Sequence, residues 1–284
     1  MGRLNDKVAL VTGASLGDDG ANIGGVTAMV LAREGASVVV ADLPGRGGGR
    51  LAEAIAAQGG RALAVDVDLR SEAEAAALVG AAVSEFGGLD ILHNNAGVSP
   101  EADTDVASMI TDVWDLVMAV DVRGAMLMTK HAIPHMLERG GGSVINTASI
   151  TALAGDVIHT AYGVAKAAMC VLGMHVAVQY GPRGIRCNTI CPGLTMSPAA
   201  HRDLPKPLVE AMTRLTPAPR LSQPEDQANI VLFLASDESA MINGQVLRTD
   251  GGMLSQQPWV AEFVAMGAPT YGNDRPEPRE GAIV

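Results

Sequence analysis

The stretch KVALVTGASLGDDGANIGGVTAMVLAREG, residues 7–35, decides the fold. Residues 8–11 are a continuous apolar run of the length of a buried strand. A glycine-rich turn follows, and residues 23–33 then read as an amphipathic helix. Strand, glycine turn and helix in that order form a cradle for a dinucleotide, with backbone N–H groups and a helix N-terminus facing the pyrophosphate. The alternation continues along the chain. Further strands are predicted at 37–41, 62–65, 91–93, 144–147, 185–190 and 245–248. Helical runs cover 50–58, 71–85, a long stretch near 105–139, and 161–180. Strands alternating with helices predict a doubly wound parallel sheet, and right-handed crossovers place helices on both of its faces. Pro134 is predicted to kink the long run. With no internal repeat and no domain boundary, residues 1–266 read as one dinucleotide-binding catalytic domain.

Three further features carry chemistry. The second strand, ASVVVAD, ends in Asp42, a carboxylate placed to accept hydrogen bonds from an adenosine ribose. Ser149 follows the fifth strand, at the sheet end where ligands gather in open α/β sheets. Tyr162 and Lys166 are four residues apart in a helical segment, so they share one face. A tyrosine hydroxyl ordinarily ionises near about pH 10, and a neighbouring ammonium favours the phenolate. Such a pair is suited to general acid/base work. Against an ordinary surface pair stands Ser149, thirteen residues before the tyrosine.

Taken together, Thr12-Gly13, Ile23-Gly24, Asp66-Val67, Asn94-Asn95-Ala96-Gly97, Ser149, Tyr162, Lys166, Pro192-Gly193 and Asp250-Gly251-Gly252 resemble the short-chain dehydrogenase/reductase family over about residues 4 to 254. The resemblance implies a Rossmann-type, mostly parallel seven-stranded sheet and hydride transfer between a nicotinamide and a carbinol or carbonyl carbon. It makes Tyr162 the acid/base and Lys166 its electrostatic partner, with Ser149 holding the substrate oxygen. It places the cofactor NAD against Gly13, Asn22, Ile23, Gly24, Asp42, Asp66, Val67, Asn94, Ala96, Gly97, Tyr162, Lys166, Pro192, Gly193 and Thr195. Asp66 would meet the adenine amino group while Val67 packs on the ring; Asp68 competes for that role. Asn94 would stabilise the sheet, and Ala96-Gly97 would let the ribose approach. Residues 193–224 would form a substrate lid. A homotetramer is expected from the resemblance and from the Ala- and Met-rich helices around 105–139 and 161–180.

Two departures from the family pattern stand out. The glycine turn is longer by about five residues, with Asn22 where a middle glycine usually stands. Asp18 and Asp19, in the extra segment, should point to solvent, because a pyrophosphate repels them. Asp121 replaces the usual Asn of a fourth catalytic member, with a proton-relay role resting on its backbone carbonyl.

Leu153, Val157, Leu194, Met196, Met212 and Leu215 predict an apolar pocket for a bulky secondary alcohol or ketone. Arg46 and Arg50 raise the alternative of an NADP-dependent ketone reductase, which Asp42 opposes. A non-catalytic cofactor-binding relative is a further alternative, opposed by the intact Ser149, Tyr162 and Lys166. Enoyl reductases usually separate Tyr and Lys by more residues.

The net charge of −11 argues against nucleic acid and anionic membrane surfaces. No metal site is expected, His131 and His135 lacking an evident carboxylate set. Cys170, Cys187 and Cys191 are read as packed thiols in a reducing compartment. The first residues show no signal peptide, which makes the cytoplasm the expected location. Residues 267–284, rich in Pro, Gly and charge, read as an extended tail.

Overall fold

The computed structural model describes residues 2–267, so all but the first residue of the expected tail at 267–284 lies outside the described residues. The first strand, β1 (Val8–Thr12), is buried along its whole length. Its alternate side chains face opposite ways, Val8 and Leu10 into one apolar layer and Ala9 and Val11 into the other. A strand apolar on both faces needs helices on both faces, and the chain supplies them.

After β1 the chain makes a small antiparallel hairpin, β2 (Leu16–Gly17) with β3 (Gly20–Ala21), before helix α1 (Ile23–Arg33). Then come β4 (Ser37–Asp42), α2 (Gly48–Ala57), β5 (Arg61–Asp66), α3 (Glu72–Phe86) and β6 (Ile91–Asn94). Helix α4 (Thr111–Val117) runs through a π-helical turn, Met118–Gly124, into α5 (Ala125–Glu138). Next are β7 (Gly142–Thr147), a short 3-10 turn Ile150–Ala152, α6 (Thr160–Tyr180) and β8 (Ile185–Pro192). The chain closes with α7 (Pro198–Asp203), α8 (Lys206–Leu215), α9 (Pro224–Ala235), β9 (Val246–Thr249) and α10 (Val260–Ala265).

Among the described residues one sheet has seven strands, ordered β5-β4-β1-β6-β7-β8-β9, with every neighbouring pair parallel. The expected Rossmann-type sheet is therefore present and wholly parallel. Helices α3, α5 and α6 fill one layer through Leu78, Val79, Leu127, Met128, Met136 and Val176. Helices α1, α2 and α9 fill the other through Leu31, Leu51, Ile55, Ala228 and Val231. Strand order reverses between β1 and β6, and the C-terminal ends of the strands at such a reversal are where ligands bind in open α/β sheets.

Three details differ from the sequence reading. Residues 105–110 are not helical, because the Asp105 carboxylate accepts the Ala107 and Ser108 N–H groups in a turn of its own. Helix α5 continues through Pro134, which sits on its exposed side, where the lost hydrogen bond leaves a carbonyl that water can reach. Helix α9 lies just past the expected lid and starts at a capping box between Gln223 and Asp226.

His93, on β6, is fully buried, and its Nε2 lies 2.8 Å from the Thr147 hydroxyl on β7. Burial pushes its pKa down from 6.5 to about 3. Between those values the unfolded chain binds a proton that the folded chain does not, so stability falls with acidification. His93 should thus contribute a loss of about 1.4 kcal/mol per pH unit below roughly pH 6. In urea titrations at pH 4–7, His93→Asn should flatten the slope by that amount; identical slopes would show that His93 titrates normally.

Candidate active site

The candidate site is built from strand ends. Gly13 leaves β1 with φ 64, and a Cβ there would lie 2.7 Å from the Ala96 Cα. Only glycine satisfies both the left-handed backbone and that approach. Asn22 caps α1: its Oδ1 accepts the N–H groups of Gly25 at 2.7 Å and Ser15 at 3.1 Å, and its Nδ2 donates to the Gly13 carbonyl at 2.9 Å. Its side chain is spent on the loop, so what it offers a ligand is backbone. The extra residues form the β2–β3 hairpin, which swings the acids outward. Asp18 pairs with Arg50 at the start of α2, and Asp19 with Arg202 of α7 at 2.7 Å. Both acids face solvent-side partners, as the repulsion argument requires.

Asp42 ends β4, half-buried, and its Oδ1 accepts the Leu43 N–H at 2.8 Å. Burial raises its pKa, with a smaller upward push from Asp66; the Leu43 N–H, Arg46 and Ser15 oppose the rise. Asp66 is its register neighbour on β5 and is exposed. Asp68 is instead tied to Arg70, by a 2.6 Å ion pair, and its backbone N–H donates to Glu74. Asp66 is thus the freer of the two competitors, and Val67 beside it is 4% exposed.

The Asn94–Gly97 turn is locked from below. Asn94 Nδ2 donates to Asn146 Oδ1 at 3.0 Å and Thr129 Oγ1 at 3.1 Å, tying β6 to β7 and α5. Asn95 Nδ2 donates to the carbonyls of Thr12 and Gly13, and the Thr12 hydroxyl receives the N–H groups of Asn95 and Ala96. At Gly97 a Cβ would stand 2.8 Å from both Asp121 Oδ2 and Lys166 Nζ.

Those two atoms form the centre of the site. Lys166 is 3% exposed and Asp121 0%, and Nζ lies 3.0 Å from Oδ2. The other carboxylate oxygen accepts the Val98 N–H at 2.8 Å. Lys166 Nζ also donates to the Thr147 carbonyl at 3.2 Å and sits 5.2 Å from the centre of the Tyr162 ring. Burial alone would lower the Lys166 pKa; the negative charges available at Tyr162 and Asp121 outweigh it, and the value is raised. Lys166 is therefore a fixed cation. Asp121 lies in the π-helical turn, whose wider winding is often found at functional sites. The sequence reading gave Asp121 a role through its backbone; here its carboxylate meets Lys166 directly.

Ser149 follows β7, partly exposed, and its Oγ accepts the Thr151 N–H at 3.2 Å. Helix α6, which carries Tyr162 and Lys166, packs on that 3-10 turn. Beyond β8, Gly193 packs on Asp250, and Thr195 is 6% exposed, with its hydroxyl donating to the Gly193 carbonyl at 3.3 Å. The expected lid contains α7 and α8. Leu153 and Val157 near the 3-10 turn, and Leu215 on α8, are among the exposed apolar side chains.

Sequence reasoning missed two residues that hold the site. His93 fixes Thr147, whose carbonyl receives Lys166. Asp103 binds the start of α6. A buried histidine in an apolar strand was a visible signal; Asp103 had none, being separated from its partners by more than fifty residues.

The chain is similar to known proteins along most of its length. A family model described as Enoyl-(Acyl carrier protein) reductase matches residues 19–254. The chain is 42% identical over 264 residues to a probable short-chain type dehydrogenase/reductase of Bradyrhizobium diazoefficiens, covering 92% of each. It is 38% identical to the cis-4-hydroxycyclohexanecarboxylate dehydrogenase of Sinomonas cyclohexanicum, over 87% of this chain and 96% of that one. Among solved structures it is similar to a 7α-hydroxysteroid dehydrogenase complexed with NADH and 7-oxo glycochenodeoxycholic acid. That match has a TM-score of 0.82 and 33% identity, over 88% of this chain and 95% of the other.

Proposed function

The chain belongs to the short-chain dehydrogenase/reductase family, and we propose that it oxidises and reduces a bulky, largely apolar secondary alcohol/ketone pair with NAD(H), Tyr162 being the acid/base. The observation that carries this reading is the buried Lys166–Asp121 pair set against the Tyr162 ring. The residues present fit a dinucleotide. Glycine at 13 lets the turn after β1 lie against Ala96, glycine at 97 leaves room for Asp121 and Lys166, and the start of α1 offers first-turn N–H groups to an anion.

When bound, the nicotinamide supplies or accepts the hydride. The chain's own residues manage one proton and one developing charge. In oxidation Tyr162 takes the hydroxyl proton of the alcohol; in reduction it returns a proton to the carbonyl oxygen. Lys166, held cationic by its surroundings, lies 5.2 Å from the centre of the Tyr162 ring and offsets negative charge on that side chain during the transfer. Ser149 donates to the substrate oxygen, where charge develops. The four-residue Tyr-Lys spacing favours an alcohol/ketone reaction over enoyl reduction. Exposed Leu153, Val157, Ile158 and Leu215 support an apolar substrate, as do the ring alcohols named for the cyclohexane and steroid relatives.

Assembly is proposed from helix α6. Its outer side exposes Val164, Val171, Met174 and Val178, the last 78% exposed, while its inner side is buried. Such a stripe calls for a partner, and a homotetramer would cover it. Helix Thr160–Arg183 is long and apolar enough to cross a membrane, but it carries the buried Lys166 and packs on the sheet. We read it as a core helix of a cytoplasmic enzyme.

Three measurements test these readings. Tyr162→Phe should cost at least about 100-fold in kcat with secondary alcohols while cofactor affinity persists; a variant with near-normal kcat would remove Tyr162 from the mechanism. Light scattering at micromolar concentration should give about four times the chain mass of 29.2 kDa, and a monomer mass would refute the assembly. For the cofactor, a 2′-phosphate within about 4 Å of Asp42 would cost on the order of 1–4 kcal/mol. That is a preference of roughly tenfold to a thousandfold for NAD in kcat/KM. Arg50, engaged by Asp18, is poorly placed to offset it. Asp42→Ala should erase most of the preference. Equal use of NAD and NADP by the wild type, or an undiminished preference in the variant, would place selectivity elsewhere.

A further inference from the structure

The helix that carries Tyr162 starts on a residue that does not cap it. His159 holds a left-handed backbone, φ 61, and its side chain makes no cap hydrogen bond to the first turn. First-turn N–H groups of a helix need acceptors from outside it. Here they come from the loop after β6. Asp103 is 1% exposed; its Oδ1 accepts the Ala161 N–H at 2.9 Å, and its Oδ2 accepts the Tyr162 N–H at 2.8 Å. Its backbone carbonyl accepts the His159 N–H at 2.9 Å. The next carbonyl, of Thr104, accepts the Thr160 hydroxyl at 2.8 Å and the Thr160 N–H at 3.4 Å. Asp103 is itself held, its N–H donating to the Pro100 carbonyl at 2.9 Å.

We infer that Asp103 is a positioning residue for the reaction: it fixes the first turn of α6 and thereby where the Tyr162 hydroxyl meets the substrate. The inference rests on the reading of Tyr162 as acid/base. Both carboxylate oxygens are committed to consecutive amides, one of them the tyrosine's own. That geometry sets the rotation of the turn as well as its place. The carboxylate also puts a negative charge at the positive end of a 21-residue helix. One turn further on, Lys166 has separate anchors in Asp121 and Thr147. Loosening the first turn would therefore move Tyr162 while Lys166 stayed in place. The long tyrosine side chain would magnify a small rotation of its Cα at the hydroxyl. With the anchor gone, His159 would be free to relax out of its left-handed conformation, and the turn would fray.

The test uses Asp103→Asn and Asp103→Ala in the full chain. Asn keeps one acceptor oxygen but sets an amide donor against the second N–H. We expect kcat to fall on the order of 10- to 100-fold, the scale of a misplaced reacting group. KM and NADH affinity, measured by fluorescence titration, should stay near wild type. Amide hydrogen exchange at Ala161 and Tyr162 should speed up, while the amides around Lys166 stay protected. Should the Ala variant fail to fold, the Asn variant decides. A folded Asn variant with wild-type kcat would overturn the inference. So would parallel losses of kcat and NADH binding, which mark a general structural role. If the wild type turned over no alcohol, the functional reading would fail by itself. Exchange at Ala161 and Tyr162 would still judge the anchor, and unchanged protection there would overturn it.

Discussion

The buried pair of Lys166 and Asp121 is the interaction on which the rest of the site depends. Taking two ions out of water costs several kcal/mol each, and mutual attraction offsets this only with good geometry and further hydrogen bonds. The chain supplies close approach and hydrogen bonds at the partners' other positions, while Oδ2 makes no hydrogen bond of its own. Nζ and Oδ2 are 3.0 Å apart, the second carboxylate oxygen takes the Val98 N–H, and the ammonium reaches the Thr147 carbonyl. Each support has its own constraint behind it. Gly97 leaves room for the two charged atoms. The π-helical turn carries Asp121 at that depth. His93 bonds the hydroxyl of the threonine whose carbonyl receives Lys166, and it stays neutral because it is buried. The pair thus links β6, β7, the π-helical turn and α6 at one point.

The glycine loop solves a different problem with charge. A lengthened turn at a pyrophosphate would bring two aspartates toward an anion. The hairpin instead gives each a cationic partner, Arg50 and Arg202. Exposed pairs of this kind contribute about 0–1 kcal/mol. Their effect here is to place charge: Arg50 is drawn to the hairpin, leaving Arg46 as the guanidinium opposing the raised pKa of Asp42. The second pair joins the hairpin after β1 to α7, so two segments remote in sequence share a contact.

Much of this was legible in the sequence because it is local. Most sheet strands were apolar-rich runs bounded by turn residues, and the parallel arrangement followed from the alternation with helices. The spacing of Ser149, Tyr162 and Lys166 was visible because one strand end and one helix carry them. What escaped was non-local or too short. The hairpin has two-residue strands, below the length at which alternation can be seen. The break at 105–110 depends on one aspartate turning onto its neighbours' amides. Helix α9 was overlooked in a Pro-rich stretch, although Gln223, Pro224 and Asp226 spell out its start. Asp103 could not be found from spacing at all, since nothing at 103 refers to 161 or 162 until the fold brings them together.

Asp121 shows the limit from the other side. The sequence identified the position and the departure from Asn, yet an amide and a carboxylate differ in charge, and its consequence depends on burial. At a wet surface the change would be screened. Here the position is 0% exposed and the ammonium is 3.0 Å away, so the carboxylate acts at close range in a poorly screened interior. It does two opposing things. It holds Lys166 protonated against the cost of burial, which keeps a cation beside Tyr162. It also cancels part of that cation's field at the tyrosine. An amide at 121 would leave the field whole but the ammonium less secure. The carboxylate therefore trades part of the cation's field at the tyrosine for a lysine that stays charged, and the depth of burial sets the terms of that exchange.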